Sequence, residues 1–169
     1  MKRIAILALA LFLTGCGTNA DFETMSDVLE PEQTVTVQPI QVNLPDEAAV
    51  TALKNDDGDI LYLCDGYTVT LHTCPSGDVN GTLLDATGFP REALRMMETK
   101  AGDYTRYDCV WIAAGEGEEQ VGRLALIDDG ACHYVLTAMA PASKTEAVFS
   151  QWKLMFDSFT LGETVSTGS

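Results

Sequence analysis

Two neighbouring stretches, residues 121–127 (VGRLALI) and 131–139 (ACHYVLTAM), are apolar at successive as well as alternate positions. Side chains of a strand alternate between the two faces of its sheet. Leu124 and Leu126 therefore point one way and Ala125 and Ile127 the other, while Tyr134 and Leu136 alternate with Val135. Asp128, Asp129 and Gly130 between the stretches predict a hairpin. Strands that are apolar on both faces need cover on both. The expectation is an α+β fold, an antiparallel β-sheet with helices packed on it, or with helices on one side and the N-terminal segment on the other.

The rest of the pattern supplies the cover. Residues 59–73 (DILYLCDGYTVTLHT) predict a hairpin turning at Asp65-Gly66, a pair that accepts the positive φ of a two-residue turn. Ile60, Tyr62 and Cys64 then share a face with Tyr67, Val69 and Leu71. Residues 78–90 predict a short helix, capped by Asp78 and closed by Gly88 before Pro90. Strands are expected over 94–99 and 104–113, joined around Gly102, and Ser143-x-x-Glu146 reads as a capping box opening a final helix. On that helix Phe149, Trp152 and Phe156, with Val148 and Met155, recur at helical spacing and are expected to pack on the sheet.

Upstream, MKR is a basic n-region and the next ten residues (IAILALALFL) an apolar h-region. Ten residues are too few for a helix across about 30 Å of hydrocarbon, which takes about twenty. Leu13-Thr14-Gly15-Cys16 closes this segment and closely resembles the lipobox of bacterial lipoproteins. The resemblance implies diacylglyceryl transfer to the Cys16 thiol and cleavage between Gly15 and Cys16, leaving residues 1–15 as a signal peptide. The chain would then sit in the cell envelope, held to the outer face of the cytoplasmic membrane, or to an outer membrane where the organism has one. Two acyl chains of the palmitate class suffice for stable anchoring where a single one does not. Residues 16–32 read as a flexible acidic tether, 33–161 as the single folded domain and 162–169 as a disordered tail. Pro39, between two alternating runs, marks an edge strand or a break.

Charge narrows the partners. The chain has 10 Lys and Arg against 25 Asp and Glu. Two of the ten, Lys2 and Arg3, precede Cys16, leaving eight against 25 and a formal charge of −17. Such a domain is repelled by nucleic acid and by anionic lipid, so the membrane attachment rests on the anchor.

The run from Tyr107 to Ala142, the terminal WKLMFDSFTL and the upstream QVNLP are similar in layout to PsbP-like α/β/α sandwich domains, which also occur in small bacterial lipoproteins. That fold serves in extrinsic subunits of photosynthetic complexes and in partners of a small GTPase. The resemblance therefore implies a binder, and no motif carries a functional residue over by position.

Catalytic parts are scarce. The histidines are His72 and His133, and no serine sits in a G-x-S-x-G elbow. Cys132 and His133 are strand neighbours and point to opposite faces. Cys109 and His133 share a face, on strands separated by a third, roughly 9 to 10 Å apart, too far for a dyad. Cys64, Cys74, Cys109 and Cys132 could form disulfides in an exported domain or remain buried thiols. The register argues against Cys109 with Cys132 and against Cys64 with Cys74. No C-x-x-C pair offers a metal edge; the acidic run 55–59 (NDDGD) lacks the alternation and closing glutamate of a calcium loop and reads as a turn, and 115–120 (GEGEEQ) reads as a glycine-rich loop of solvated charges. The expectation is a non-catalytic binding or accessory lipoprotein without cofactor or metal, its partner an envelope protein or extracellular ligand. The alternatives are an envelope enzyme with a nonstandard site near Cys109 and His133, and a structural surface protein.

Overall fold

The structure, a computed structural model, describes residues 36–45, 53–54 and 59–162. The signal segment, Cys16, the tether, the first residues assigned to the domain, Asn55 to Gly58 of the first acidic run and the tail beyond Gly162 lie outside the described residues. Among the described residues no helix is long and apolar enough to cross a membrane.

The order of elements is β1 (Ile40–Gln41), β2 (Leu53–Lys54), β3 (Ile60–Cys64), β4 (Tyr67–Pro75), α1 (Val79–Thr87), β5 (Arg95–Ala101), β6 (Tyr104–Ala113), β7 (Gln120–Asp128), β8 (Cys132–Pro141), α2 (Thr145–Ser158) and β9 (Thr160–Leu161). Seven strands form one antiparallel sheet in the order β2-β3-β4-β8-β7-β6-β5, and β1 pairs separately with β9. The doubly apolar hairpin β7–β8 thus stands near the middle of the sheet, where both its faces are covered.

Those faces carry two cores. Leu124, Leu126 and Val135 pack with Tyr107, Cys109, Trp111 and the α1 residue Leu83. Ala125, Ile127, Tyr134 and Leu136 pack with Tyr67, Val69 and Leu71 of β4 and with Val148, Trp152, Met155 and Phe156 of α2. Ile40, Val42 and Leu44 lean on this second core. The α+β expectation holds, with a helix on each face.

Local chemistry explains the element ends. Asp78 caps α1 by accepting from the Asn80 amide, and Gly88 closes it at φ 77°. Asp129 organises the β7–β8 turn: Oδ1 accepts from the amides of Ala131 and Cys132 at 2.9 and 2.7 Å, Oδ2 from the hydroxyl of Tyr134 and the amide of Gln38 at 3.0 Å. Burial raises the Asp129 pKa, and these hydrogen bonds outweigh it, holding the carboxyl below the ordinary carboxylate range. The Gln38 backbone amide donates to the Tyr134 oxygen at 2.8 Å, which ties the N-terminal segment to the core. At the other end of α2, Arg106 donates to the carbonyls of Phe156 and Phe159 at 2.9 and 2.8 Å while paired with Asp108. A cation there satisfies the acceptors that a helix C-terminus leaves over.

Two expectations need correction. The Ser143–Glu146 capping box does not form: residues 142–144 make a turn of 3-10 helix, and α2 starts after Lys144, in helical conformation and with no side-chain cap. The helical path begins early, so Ser143 never takes the extended geometry of an N-cap. Phe149 does not pack on the sheet beneath α2 but stays 58% exposed. Val148, Trp152, Met155 and Phe156 already define the buried stripe, and Phe149 stands at its edge.

Candidate functional site

Neither helix covers its whole face. On the α1 side, the core lies over β5 to β8, and β3 and β4 have no helix above them. A cleft of about 430 Å³ opens there between β4, β8 and α1. Strand alternation sends Thr68, Thr70, His72 and Cys74 of β4 into it, beside Val135, Thr137 and Met139 of β8, and α1 supplies Thr82, Asp85 and Ala86 as a wall. Thr70 and Thr137 are direct cross-strand partners.

The cleft is a hydroxyl-lined surface over an apolar floor. His72 Nδ1 contacts Asp59 Oδ1 at the rim. No lysine or arginine lines the cleft among the described residues, so it lacks the fixed cation that recognises phosphate or carboxylate. The Cys74 thiol is raised above its ordinary pKa, chiefly by burial, with an opposing hydrogen bond from Thr82. It is held as a thiol rather than activated.

Behind the wall lies a polar cluster around His133, whose side chain is fully buried. Nδ1 is 2.8 Å from Thr82 Oγ1, and Nε2 is 3.3 Å from Ser76 Oγ. Ser76 Oγ donates to Asp128 Oδ1 at 2.9 Å, and that carboxylate is 3.7 Å from Nε2. A hydrolytic triad sets nucleophile and carboxylate on opposite ring nitrogens, within hydrogen-bond reach. Here Ser76 and Asp128 crowd one nitrogen, a threonine holds the other, and the imidazole is sealed from the cleft. The cluster satisfies a buried polar side chain.

The structure separates the residues of the alternative enzyme site. Cys109 and His133 do share the α1 face, with β7 between their strands. Cys109 is level with Leu124 and hence with Thr137, four residues from His133 along β8. Two strand spacings and four residues make roughly 16 Å, more than the sequence estimate because the hairpins are staggered. Burial, then Asp108, pushes the Cys109 thiol up to about 11. Cys132 is on the opposite face from His133 and Cys109, as expected, and Cys64 sits opposite Tyr67 rather than near Cys74. Cys74, Cys109 and Cys132 carry free thiols. Among the described residues no group of three His, Cys, Asp or Glu could hold a metal.

The sequence pattern presents His72 as an ordinary strand residue and gives no sign of a role for Thr70, Thr137 and Thr82. The alternation of threonines along β4 was visible in TVTLHT, and what was missing was the knowledge that no helix covers that side.

No protein-family model matches the chain, and no curated protein matches it. Among solved structures, LpqN of Mycobacterium tuberculosis, involved in cell envelope biogenesis, aligns with a TM-score of 0.49 at 13% identity, over 78% of this chain and 88% of LpqN. A structure from Bacteroides thetaiotaomicron VPI-5482 aligns with a TM-score of 0.49 at 12% identity, over 73% of this chain. This chain spans less than half, 45%, of that one. At this depth neither likeness carries an argument about the present chain.

Proposed function

We propose that this chain is an extracytoplasmic lipoprotein of the binding or accessory type, anchored through acyl chains on Cys16, with the cleft beside α1 as its ligand site. The observation that carries the reading is the cleft itself. Its volume falls in the range of small-molecule sites, its polar lining joins four threonine hydroxyls to His72, Cys74 and the carboxylates of Asp59 and Asp85, and the His133 imidazole is walled off by Thr82. Such a surface suits a neutral ligand rich in hydroxyl or amide groups, such as a sugar or short peptide, and offers nothing to hold an anion. Catalysis is not part of the proposal, because the Cys74 and Cys109 thiols are raised and the histidines are engaged.

The site is tested by saturation-transfer NMR on the full chain with neutral disaccharides and with short uncharged peptides. Saturable contact that Thr137→Val or Thr70→Val weakens at least fivefold supports it, and contact unchanged in both variants removes the cleft from consideration. The anchor is tested separately by mass spectrometry of the amino-terminal peptide. Wild type should carry diacylglyceryl on Cys16, and Cys16→Ser should lose membrane retention. Equal retention and equal mass would refute the anchor while leaving the cleft standing.

A further inference from the structure

The opposite face has its own bare strip. On the α2 side the core lies over β3, β4, β8 and β7 and reaches the Tyr104–Arg106 end of β6, where Arg106 meets the end of α2, so the strip over β5 and the rest of β6 has no helix above it. Register places Met97, Val110 and Ile112 on this strip, on the side of Ala125 and Ile127. They are 62, 47 and 60% exposed, and Phe149 of α2 borders them at 58%. Two arginines stand among these apolar side chains. Arg95 is opposite Val110 on β5, and Arg123 is opposite it on β7. Arg123 rests 4.4 Å from the ring centre of Phe156, and neither arginine makes an ion pair among the described residues. Asp108 lies on the same strip and Asp157 stands near Arg123, but the first is paired with Arg106 and the second with Lys153, so in a chain of formal charge −15 the two arginines remain a local excess of positive charge on an apolar surface. Exposed aromatic, methionine and arginine together are the composition of an interface core.

We propose that this strip is a docking surface for an amphipathic helix of another protein, lying alongside α2, with its apolar stripe on Met97, Val110 and Ile112 and its carboxylates toward Arg95 and Arg123. Dimensions favour a helix. Two strands span about 10 Å, close to the about 10 to 12 Å diameter of a helix with its side chains, and such a helix completes the layer that α2 half fills. Edge addition to β5 is opposed by its own charges, Arg95, Glu98 and Lys100. A second copy is disfavoured because a twofold contact sets arginine against arginine and joins two strongly acidic chains. An anionic membrane is disfavoured by the same net charge.

The test uses the full chain in phosphatidylcholine nanodiscs, with two fluorescent 18-residue helical peptides that share one leucine stripe. One peptide is flanked by glutamates and the other by lysines. Anisotropy, corrected for empty discs, should show saturable binding of the glutamate peptide and at least tenfold weaker binding of the lysine peptide. Ile112→Lys should weaken the glutamate peptide at least tenfold at an unchanged melting temperature, Arg123→Glu should reverse the preference, and Thr137→Val, in the cleft, should leave it alone. No saturable binding, equal affinities, or affinity that survives Ile112→Lys would overturn the proposal. So would loss of binding in Thr137→Val, which moves the peptide to the cleft, or self-association of the chain that Ile112→Lys abolishes, which makes the occupant a second copy.

Discussion

The two faces of the sheet solve the same problem differently. On one side α2 buries four side chains, Val148, Trp152, Met155 and Phe156, and is fastened at its end by Arg106. On the other, α1 is nine residues long and buries one, Leu83. Each helix leaves two strands bare, and the bare strips differ in chemistry: threonines and a histidine over β4, apolar side chains and arginines over β5 and β6. A face left half covered by its own chain is open to another molecule, and its side chains select which.

The comparison breaks most readily at α2. Trp152→Ala removes an indole that is 3% exposed and packed edge-on against Tyr67 at 6.1 Å. It should cost about 5 kcal/mol, read by chemical denaturation, and a loss below about 1 kcal/mol would mean that α2 is not the main anchor of its face. Leu83→Ala on the weaker side should cost about 3 kcal/mol and loosen α1 preferentially. Hydrogen exchange of residues 79–87 should then rise well before that of β7 and β8. Equal acceleration everywhere would mean that α1 is as integral as α2.

Smaller changes sharpen the picture. Asp129→Asn should lower stability by about 2 kcal/mol at neutral pH, the scale of charge-assisted hydrogen bonds. Because the Asp129 carboxyl is depressed in the fold, its contribution is complete above the unfolded value of about 4 and fades as pH falls through the lower, folded value. Denaturation at pH 7 and pH 3 checks this, since the gap between wild type and variant should narrow at the lower pH. The smallest effect belongs to the bare strip, where Phe149→Ser should change stability by less than about 0.5 kcal/mol. A larger loss would show that Phe149 serves the fold rather than a partner.

The hairpins were legible in the residues because each carries its own turn chemistry. Asp65-Gly66 and Asp128 to Gly130 were found where expected, with Gly66 and Gly130 both at φ 83°. The absence of a Cys109–His133 dyad was legible too, from strand alternation, although the stagger that widens the gap was not. Gly122 was silent in the sequence. It lies opposite Trp111, whose ring would meet an added Cβ at 2.2 Å, so a glycine within a strand reports the packing of a partner eleven positions away in the turn-connected strand only once the register is known.

The lipobox-like run Leu13 to Cys16, the acidic balance, the doubly apolar hairpin and the cap of α1 by Asp78 are legible in the sequence alone, because each depends on residues near one another in the chain or on a sum over all of them. Tertiary structure decided where cover stops. Whether Phe149 is core or surface, whether Thr70 and Thr137 line a cleft or lie under a helix, and which nitrogen of His133 meets Thr82 depend on how far each helix reaches across the sheet. That reach is set by contacts between residues distant in sequence, such as Arg106 with the carbonyl of Phe159, and no local pattern encodes it.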